Sequence, residues 1–422
     1  MEAFITHRRS LPALPETHGQ PVDMAVSDFG RLLDFLASNR EPACMMTGGE
    51  PTLHPDFAQL VALTRRKKLE PVVETCGVMP DDVAAFVVSE QLQLSWRLYH
   101  PRFYGPEEAQ RMLAFAREVG RGDRPMCVLI TASETADDYA WAEDFLRQTT
   151  FNQVVLRSLS SQDLEGKRAF ATWAAGFVPK VLGVGGQVVF DCGLPACMFT
   201  DEQYGALTRH GLHLQGCLPR PGVDTALRLY HCRETVEFPG SSLTNFRKMQ
   251  QVQEYFFRRH SDLQWDYRHF PDCPSCPTHR FARCQGFCMG LKARTVRDEV
   301  DRLRAAVAED GSFELLAALG RGLFELNRYQ DAEQCLVEAM RLEPAHGGVH
   351  LLLARTYGFM GRVDEADDEF HKAARLLPQG YNVLMEWAQL LQNEHGKTGR
   401  SRRVADEARQ LAEEQSKSTP PQ

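Results

Sequence analysis

The chain has 422 residues, 43% of them apolar, and a net charge of −8 at pH 7, so it can bury a large core and is expected to hold two or three domains. The acidic balance and the scattered Lys and Arg argue against a nucleic-acid surface. The start MEAFITHRRS has no apolar run after its basic residues, and no stretch approaches the roughly 20 apolar residues of a membrane span, so a soluble cytoplasmic protein is expected. In chain order, a weak strand at Ala3 to Thr6 is followed by strands expected at Ala43 to Thr47, Pro71 to Thr75, Leu92 to Arg97, Met126 to Thr131 and Val154 to Ser158. Between them amphipathic patterns predict helices, the first from Ser27 with Leu32, Leu33, Phe35 and Leu36 at helical spacing, the next from near Pro55, Pro80, Pro106 and Ala136. Strands alternating with helices in this way predict an α/β fold, a six-stranded partial (β/α)6 barrel over residues 1–162 with its chemistry at the carboxyl ends of the strands. Residues 163–292 are less regular and rich in cysteine, an α+β region. The run RKMQQVQEYFFRRH ending at His260 within it predicts an amphipathic helix.

A third region repeats with a period of 34. Leu319, Gly320, Ala332, Leu336, Ala339 and Pro344 recur as Leu353, Ala354, Ala366, Phe370, Ala373 and Pro378, with a degenerate third unit at Trp387 and Ala388. This resembles the tetratricopeptide pattern, with small residues where paired helices touch and proline closing each unit. It predicts an all-α tail over residues 293–413, entered by a linker helix from about Ala293, and a disordered end at 414–422. Repeat grooves of this kind bind peptides or helices, so a peptide or protein partner is expected there.

Thr47 to Phe57 reads TGGEPTLHPDF. Two glycines after a strand let the backbone approach a ligand closely, and Glu50 offers a carboxylate to a cationic amine. The plain reading of the same residues is a strand-to-helix turn in which Glu50 caps the next helix. With the strand–helix units and the cysteines that follow, the segment resembles the cofactor turn of radical SAM enzymes. The resemblance implies that Gly48, Gly49 and Glu50 bind the methionine amino group of S-adenosylmethionine, with Ser95, at the end of the fourth strand, as a further contact. The family's usual neighbours of that serine are replaced here by Trp96 and Arg97.

The family also carries CxxxCxxC after the first strand, three thiolates that hold the catalytic [4Fe-4S] cluster. Here that stretch is ITHRRSLPALPETHG, without cysteine, and Arg9, Ala13 and Glu16 fall at the three ligand spacings. His7, His18 and Glu16 could stand in for thiolates. However, a structural metal site is worth roughly 10 to 16 kcal/mol over its ligands, and three missing thiolates leave too little to hold it.

Twelve cysteines are unusual for structural disulfides in a reducing compartment, so metal ligation leads for those that cluster. Cys192, Cys197, Cys217, Cys232, Cys273, Cys276, Cys284 and Cys288 lie within one region, and eight thiolates match two four-cysteine sites. The arrangement resembles the SPASM extension of peptide-modifying radical SAM enzymes. That resemblance implies one or two auxiliary [4Fe-4S] clusters: one on Cys217, Cys232, Cys288 and a cysteine of FDCGLPAC, the other on Cys273, Cys276 and Cys284. A structural zinc on Cys273, Cys276, Cys284 and Cys288 is the alternative. Cys44, Cys76, Cys127 and Cys335 sit in apolar settings and read as core. Trp96, Tyr99, His100, Phe103 and Tyr104 read either as a pocket lining or as a loop packed on its own scaffold.

The expectation is therefore a degenerate radical SAM/SPASM-like iron–sulfur protein, a partner or scaffold subunit in peptide or natural-product maturation. The alternative is an active S-adenosylmethionine-dependent enzyme, radical or methyl-transferring, with an unusual cluster site.

Overall fold

The computed structural model describes residues 1–11, 22–99, 103–120, 126–131, 140–157, 164–191, 196–212, 220–266, 289–393 and 396–418. The chain divides into two compact units, Met1–Val236 with Val252–Lys292, and Glu237–Gln251 with Ala293–Gln422.

The first unit is mixed α/β. Its strands and helices alternate as β1 (Glu2–Thr6), α1 (Val26–Ser38), β2 (Ala43–Gly48), α2 (Phe57–Arg66), β3 (Glu70–Thr75), α3 (Asp81–Ser89), β4 (Gln93–Leu98) and α4 (Pro106–Val119). They continue as β5 (Met126–Thr131), α5 (Ala140–Gln148), β6 (Phe151–Arg157), α6 (Leu164–Gly183) and β7 (Gln187–Phe190). After α7 (Asp201–Arg209) come two short strands, β8 (Gly222–Val223) and β9 (Leu229–Tyr230), and then helix α8 (Met249–Asp266).

Among the described residues the strands form one sheet, in the order β7-β6-β5-β4-β3-β2-β1-β8-β9. From β1 to β7 each strand lies parallel to its neighbour in sequence, and only β8 and β9 pair antiparallel. The six expected strands are present. The sheet continues past residue 162 through β7, and β8 and β9 are two-residue elements too short to leave a periodic signal.

Register divides the sheet into two faces, since residues paired across strands point the same way. Thr75, Trp96, Val128, Val154 and Val188 form one apolar row. The Trp96 ring on this row packs within 5.8 Å of both Phe115 of α4 and Phe145 of α5. The alternate row is polar, running Glu74, Ser95, Cys127, Gln153 and Gln187, and Arg97 follows on the same face. Helix α1 buries Phe29, Leu32, Leu33 and Leu36, the apolar stripe visible in the sequence. It starts at Val26 after Ala25, without a side-chain cap, so Ser27, the expected start, lies inside its first turn.

The second unit is helical. A long helix, α9 (Met289–Glu309), leads into three pairs: α10 (Phe313–Glu325) with α11 (Tyr329–Leu342), α12 (Gly347–Phe359) with α13 (Val363–Leu376), and α14 (Gly380–Asn393) with α15 (Thr398–Ser418). The small repeated residues sit at the pair contacts. A Cβ on Gly320 would lie 2.6 Å from Leu336 Cγ, while Ala332, Ala339, Ala366 and Ala373 are fully buried. Asn327 and Gly361, 34 positions apart in the sequence, both take positive φ (61° and 78°) where the first helix of a pair turns into the second. Glycine and asparagine tolerate that conformation best. Of the four cysteines read as core, Cys44 and Cys76 are buried, whereas Cys127 and Cys335 are only half-buried.

Candidate functional site

The turn after β2 is closed by the chain itself. Gly48 has φ +133°, and a Cβ there would lie 2.4 Å from the Thr6 carbonyl oxygen. On Gly49 it would lie 2.0 Å from the Arg8 carbonyl oxygen. Both positions therefore require glycine, and what approaches them is the segment leaving β1. The Gly49 N–H donates to Thr6 O at 2.8 Å and the Glu50 N–H to Arg8 O at 2.6 Å. A clasp fixes this segment. Asp23 accepts from Thr6 Oγ1 (2.6 Å) and from Arg8 Nε and an Arg8 terminal nitrogen (3.0 and 2.8 Å). Met24 N–H donates to Ile5 O at 2.8 Å. Ala13, Glu16 and His18 lie outside the described residues. His7 is half-buried, and burial pushes its imidazole below the usual range.

Glu50 is 1% exposed. It caps the short helical turn Pro51–Leu53, accepting from Thr52 Oγ1 at 2.7 Å, and its other oxygen accepts from the Cys76 N–H at 3.0 Å. The carboxylate thus joins the ends of β2 and β3. His54 completes the turn: its Nδ1 accepts from Asp56 N–H at 3.0 Å, so its Nε2 carries the hydrogen donated to Met24 O, also at 3.0 Å.

The carbonyl oxygens of Gly48 and Gly49 meet a cation from β4. Arg97 donates to Gly48 O at 3.0 Å and to Gly49 O at 3.4 Å. Its Nε donates to Glu74 Oε1 at 2.6 Å and another nitrogen to Tyr99 OH at 2.8 Å. Arg233, just beyond β9, pairs with the same Glu74 oxygen and lies 3.6 Å from Glu2. Burial alone would raise the Glu74 pKa, but Arg233 and Arg97 bring it down to about 2. Burial would likewise lower the two arginines, yet Glu74 holds both above the usual range. Near the carboxyl ends of β3 and β4 the buried Glu74 is thus neutralised by two largely buried guanidiniums, those of Arg97 and Arg233. A second cluster follows on the same side of the unit, where Asp191 beyond β7 pairs with Arg157 and Arg220.

Ser95 is buried on the face of Glu74 and Arg97, in the middle of a strand that runs on to Leu98 rather than at its end. The aromatic cluster divides by alternation. Trp96 faces the helices, while Tyr99 binds Arg97 and Tyr104 OH donates to Cys76 O at 3.4 Å, so these two tyrosines pack on their own scaffold; His100 lies outside the described residues. Burial pushes the Cys44 and Cys76 thiols up to about 12 and that of Cys127 to about 11, away from the thiolate form. Of the eight clustered cysteines, Cys197 is exposed and Cys232 half-buried; Cys192, Cys217, Cys273, Cys276, Cys284 and Cys288 lie outside the described residues. Among the described residues no group of three or more His, Cys, Asp or Glu could hold a metal ion, and no helix is long and apolar enough to cross a membrane.

These atoms do not fit an amine cofactor as they stand. The carbonyl oxygens that would accept its ammonium accept from Arg97, and the Glu50 carboxylate is used by Thr52 and Cys76. Arginine at 97 was visible in the sequence as a charge within a buried strand, and Glu74 as its complement one strand away.

No protein-family model and no curated protein matches the chain. Similar solved structures include Streptococcus suis SuiB bound to S-adenosylmethionine, at 11% identity, covering 68% of this chain and 71% of that one, with TM-score 0.45. Native anSMEcpe with bound AdoMet matches at 13% identity over 68% of this chain and 88% of that one, TM-score 0.47. MamA matches at 18% identity over 40% of this chain and 95% of that one, TM-score 0.27. Likeness at these levels says nothing of what this chain binds or does.

Proposed function

We propose that the chain is a degenerate member of the radical SAM class with a SPASM-like cysteine region and tetratricopeptide repeats. It acts as a partner or scaffold subunit in peptide or natural-product maturation and holds a peptide or partner enzyme through the repeats. The observation that carries the reading is Arg97, whose guanidinium takes the carbonyl oxygens of Gly48 and Gly49 and is itself neutralised by Glu74. A displacing ammonium would have to take the Gly48 and Gly49 carbonyl oxygens from a largely buried guanidinium that Glu74 holds in place, and an unsatisfied donor on a charged group is costly to bury. The absence of cysteine between Ile5 and Gly19 supports the same conclusion from the side of the cluster. The eight cysteines from Cys192 to Cys288 are proposed to hold auxiliary iron–sulfur clusters, with zinc as the alternative. The residues of units 1–162, 163–292 and 293–413 are proposed as its three functional parts.

Anaerobic reconstitution of the full chain, followed by iron and sulfide counting, tests this. Two auxiliary clusters give about eight irons per chain. About twelve irons, or formation of 5'-deoxyadenosine from S-adenosylmethionine under reducing conditions, overturns the degenerate reading. Zinc in place of iron leaves the scaffold role and removes the clusters.

A further inference from the structure

The second unit carries a cavity of about 490 Å³ where the ends of α11 and α13 meet the start of α12, a size common for ligand pockets. Met340 and Leu376 give it an apolar floor, and Arg341, Lys372, Arg375 and His350 surround them. Among the described residues no carboxylate lines it, in a chain whose net charge is −8.

Three features of the charges matter. Glu369 is turned inward on His350 and Lys372, the latter at 2.7 Å, and Arg341 pairs with Glu338 on its own helix at 2.7 Å. The Arg341–Glu338 pair, exposed and within one helix, is worth little and is readily exchanged for another carboxylate. Arg375 has no ion-pair partner among the described residues. His350 Nε2 lies 2.8 Å from Pro344 O while Nδ1 faces Glu369, so both ring nitrogens are engaged within the chain.

The same arrangement recurs along the repeats. Arg341–Leu342 and Arg375–Leu376 stand 34 positions apart in the sequence. Leu342 is 54% exposed and Leu376 42% exposed. A cation in the last turn of a helix is accounted for by the helix dipole. An exposed leucine beside it, twice, is not.

We infer that this edge of the repeats is a docking surface for an acidic peptide segment of a partner protein. Leucine or phenylalanine side chains of the segment would cover Met340 and Leu376, and its Asp or Glu would meet Arg341, Lys372 and Arg375. This rests on the proposed partner-binding role of the repeats and names the chemistry of the partner. Charge complementarity selects the peptide, and the repeat period sets the direction in which it runs, from one Arg–Leu pair to the next.

The test uses the full chain and a fluorescein-labelled peptide with Leu and Phe set among Asp and Glu, compared by anisotropy with the same peptide carrying Asn and Gln. The acidic peptide is expected to bind about tenfold more tightly or better, and to weaken by a similar factor in the Arg341→Glu/Arg375→Glu variant. Arg409→Glu, an exposed arginine on α15, serves as the control and leaves binding unchanged. Equal binding of the two peptides, no effect of the double reversal, or no saturable binding overturns the inference. So does equal binding of a single-stranded oligonucleotide with the same response to the variants. Because 5'-deoxyadenosine formation does not involve this surface, a chain that cleaves S-adenosylmethionine would overturn the degenerate reading while leaving this result to stand or fall alone.

Discussion

The Arg97 guanidinium and the Gly48 carbonyl oxygen lie 3.0 Å apart, and the cation that completes the turn comes from the chain itself. Arg97 reaches this position because Glu74 neutralises it on the neighbouring strand. Each residue would be costly to bury alone, and together they fix the relative height of β2, β3 and β4.

Removing either partner should destabilise the protein unequally. Glu74 serves Arg97 and Arg233, so Glu74→Ala leaves two guanidiniums without it, whereas Arg97→Ala leaves Glu74 still paired with Arg233. Arg97→Ala is expected to cost about 3 kcal/mol and Glu74→Ala more, read as shifts of the urea midpoint. Arg97→Lys should recover only part of the loss, because an ammonium cannot bond two carbonyls, Tyr99 and Glu74 in one planar fork. Equal losses for Arg97→Ala and Glu74→Ala would count against the shared-carboxylate network.

The same carboxylate sets a pH dependence. Its folded pKa of about 2 lies below the ordinary 4.5, so its contribution is complete above the ordinary value and is lost as pH falls toward 2. The depression corresponds to about 3 kcal/mol. Wild type should therefore lose more stability than Glu74→Gln between about pH 5 and pH 2, followed by denaturant titration at each pH. Parallel losses in the two proteins would show that Glu74 does not carry it.

Glycine substitutions separate the turn from the helices. Gly49→Ala would drive a methyl into the Arg8 carbonyl, backbone against backbone, and Gly48→Ala would add a positive φ of 133° to a contact with Thr6 O. Each is expected to cost about 3 kcal/mol or more. Gly176→Ala in α6 meets no atom within 4 Å and should stabilise by about 0.5 to 1 kcal/mol. Thermal unfolding of the three variants checks both signs at once, and a tolerated Gly49→Ala would mean that the segment after β1 does not lie on the turn.

Much of this was open to a reader of the sequence, for reasons visible in particular residues. Short runs such as CMM and PVV, each set between helical patterns, announce buried strands, and the 34-residue recurrence of Leu319 in Leu353 announces the helical pairs. The fate of Glu50 was not legible. Its carboxylate could face a ligand or cap its own turn, and the choice depends on the Cys76 N–H, 26 residues away. Arg233 reaches Glu74 across 159 positions, a pairing no local pattern encodes. The clue that was present is alternation: Ser95 and Arg97 share one side of β4, and a charge on that side needs a partner.

In the helical unit the third pair is less regular in sequence than the first two, yet it holds a large buried aromatic. Trp387 is fully buried and stacks on Phe370 with ring centroids 4.8 Å apart and planes 19° apart, and its Nε1 donates to Asp367 at 2.5 Å. Asp367 also accepts from Arg400 of α15 at 3.0 Å, so one aspartate ties α13 to both helices of the last pair. Trp387→Ala is expected to cost about 3 to 5 kcal/mol through the cavity it leaves, and Trp387→Phe less, since the stack survives and only the hydrogen bond is lost. Repeat arrays distribute stability between neighbours, so the loss should appear as early melting of the helical unit, followed by far-ultraviolet circular dichroism. A Trp387→Ala protein that melts at the wild-type temperature would mean that the third pair contributes nothing to the second.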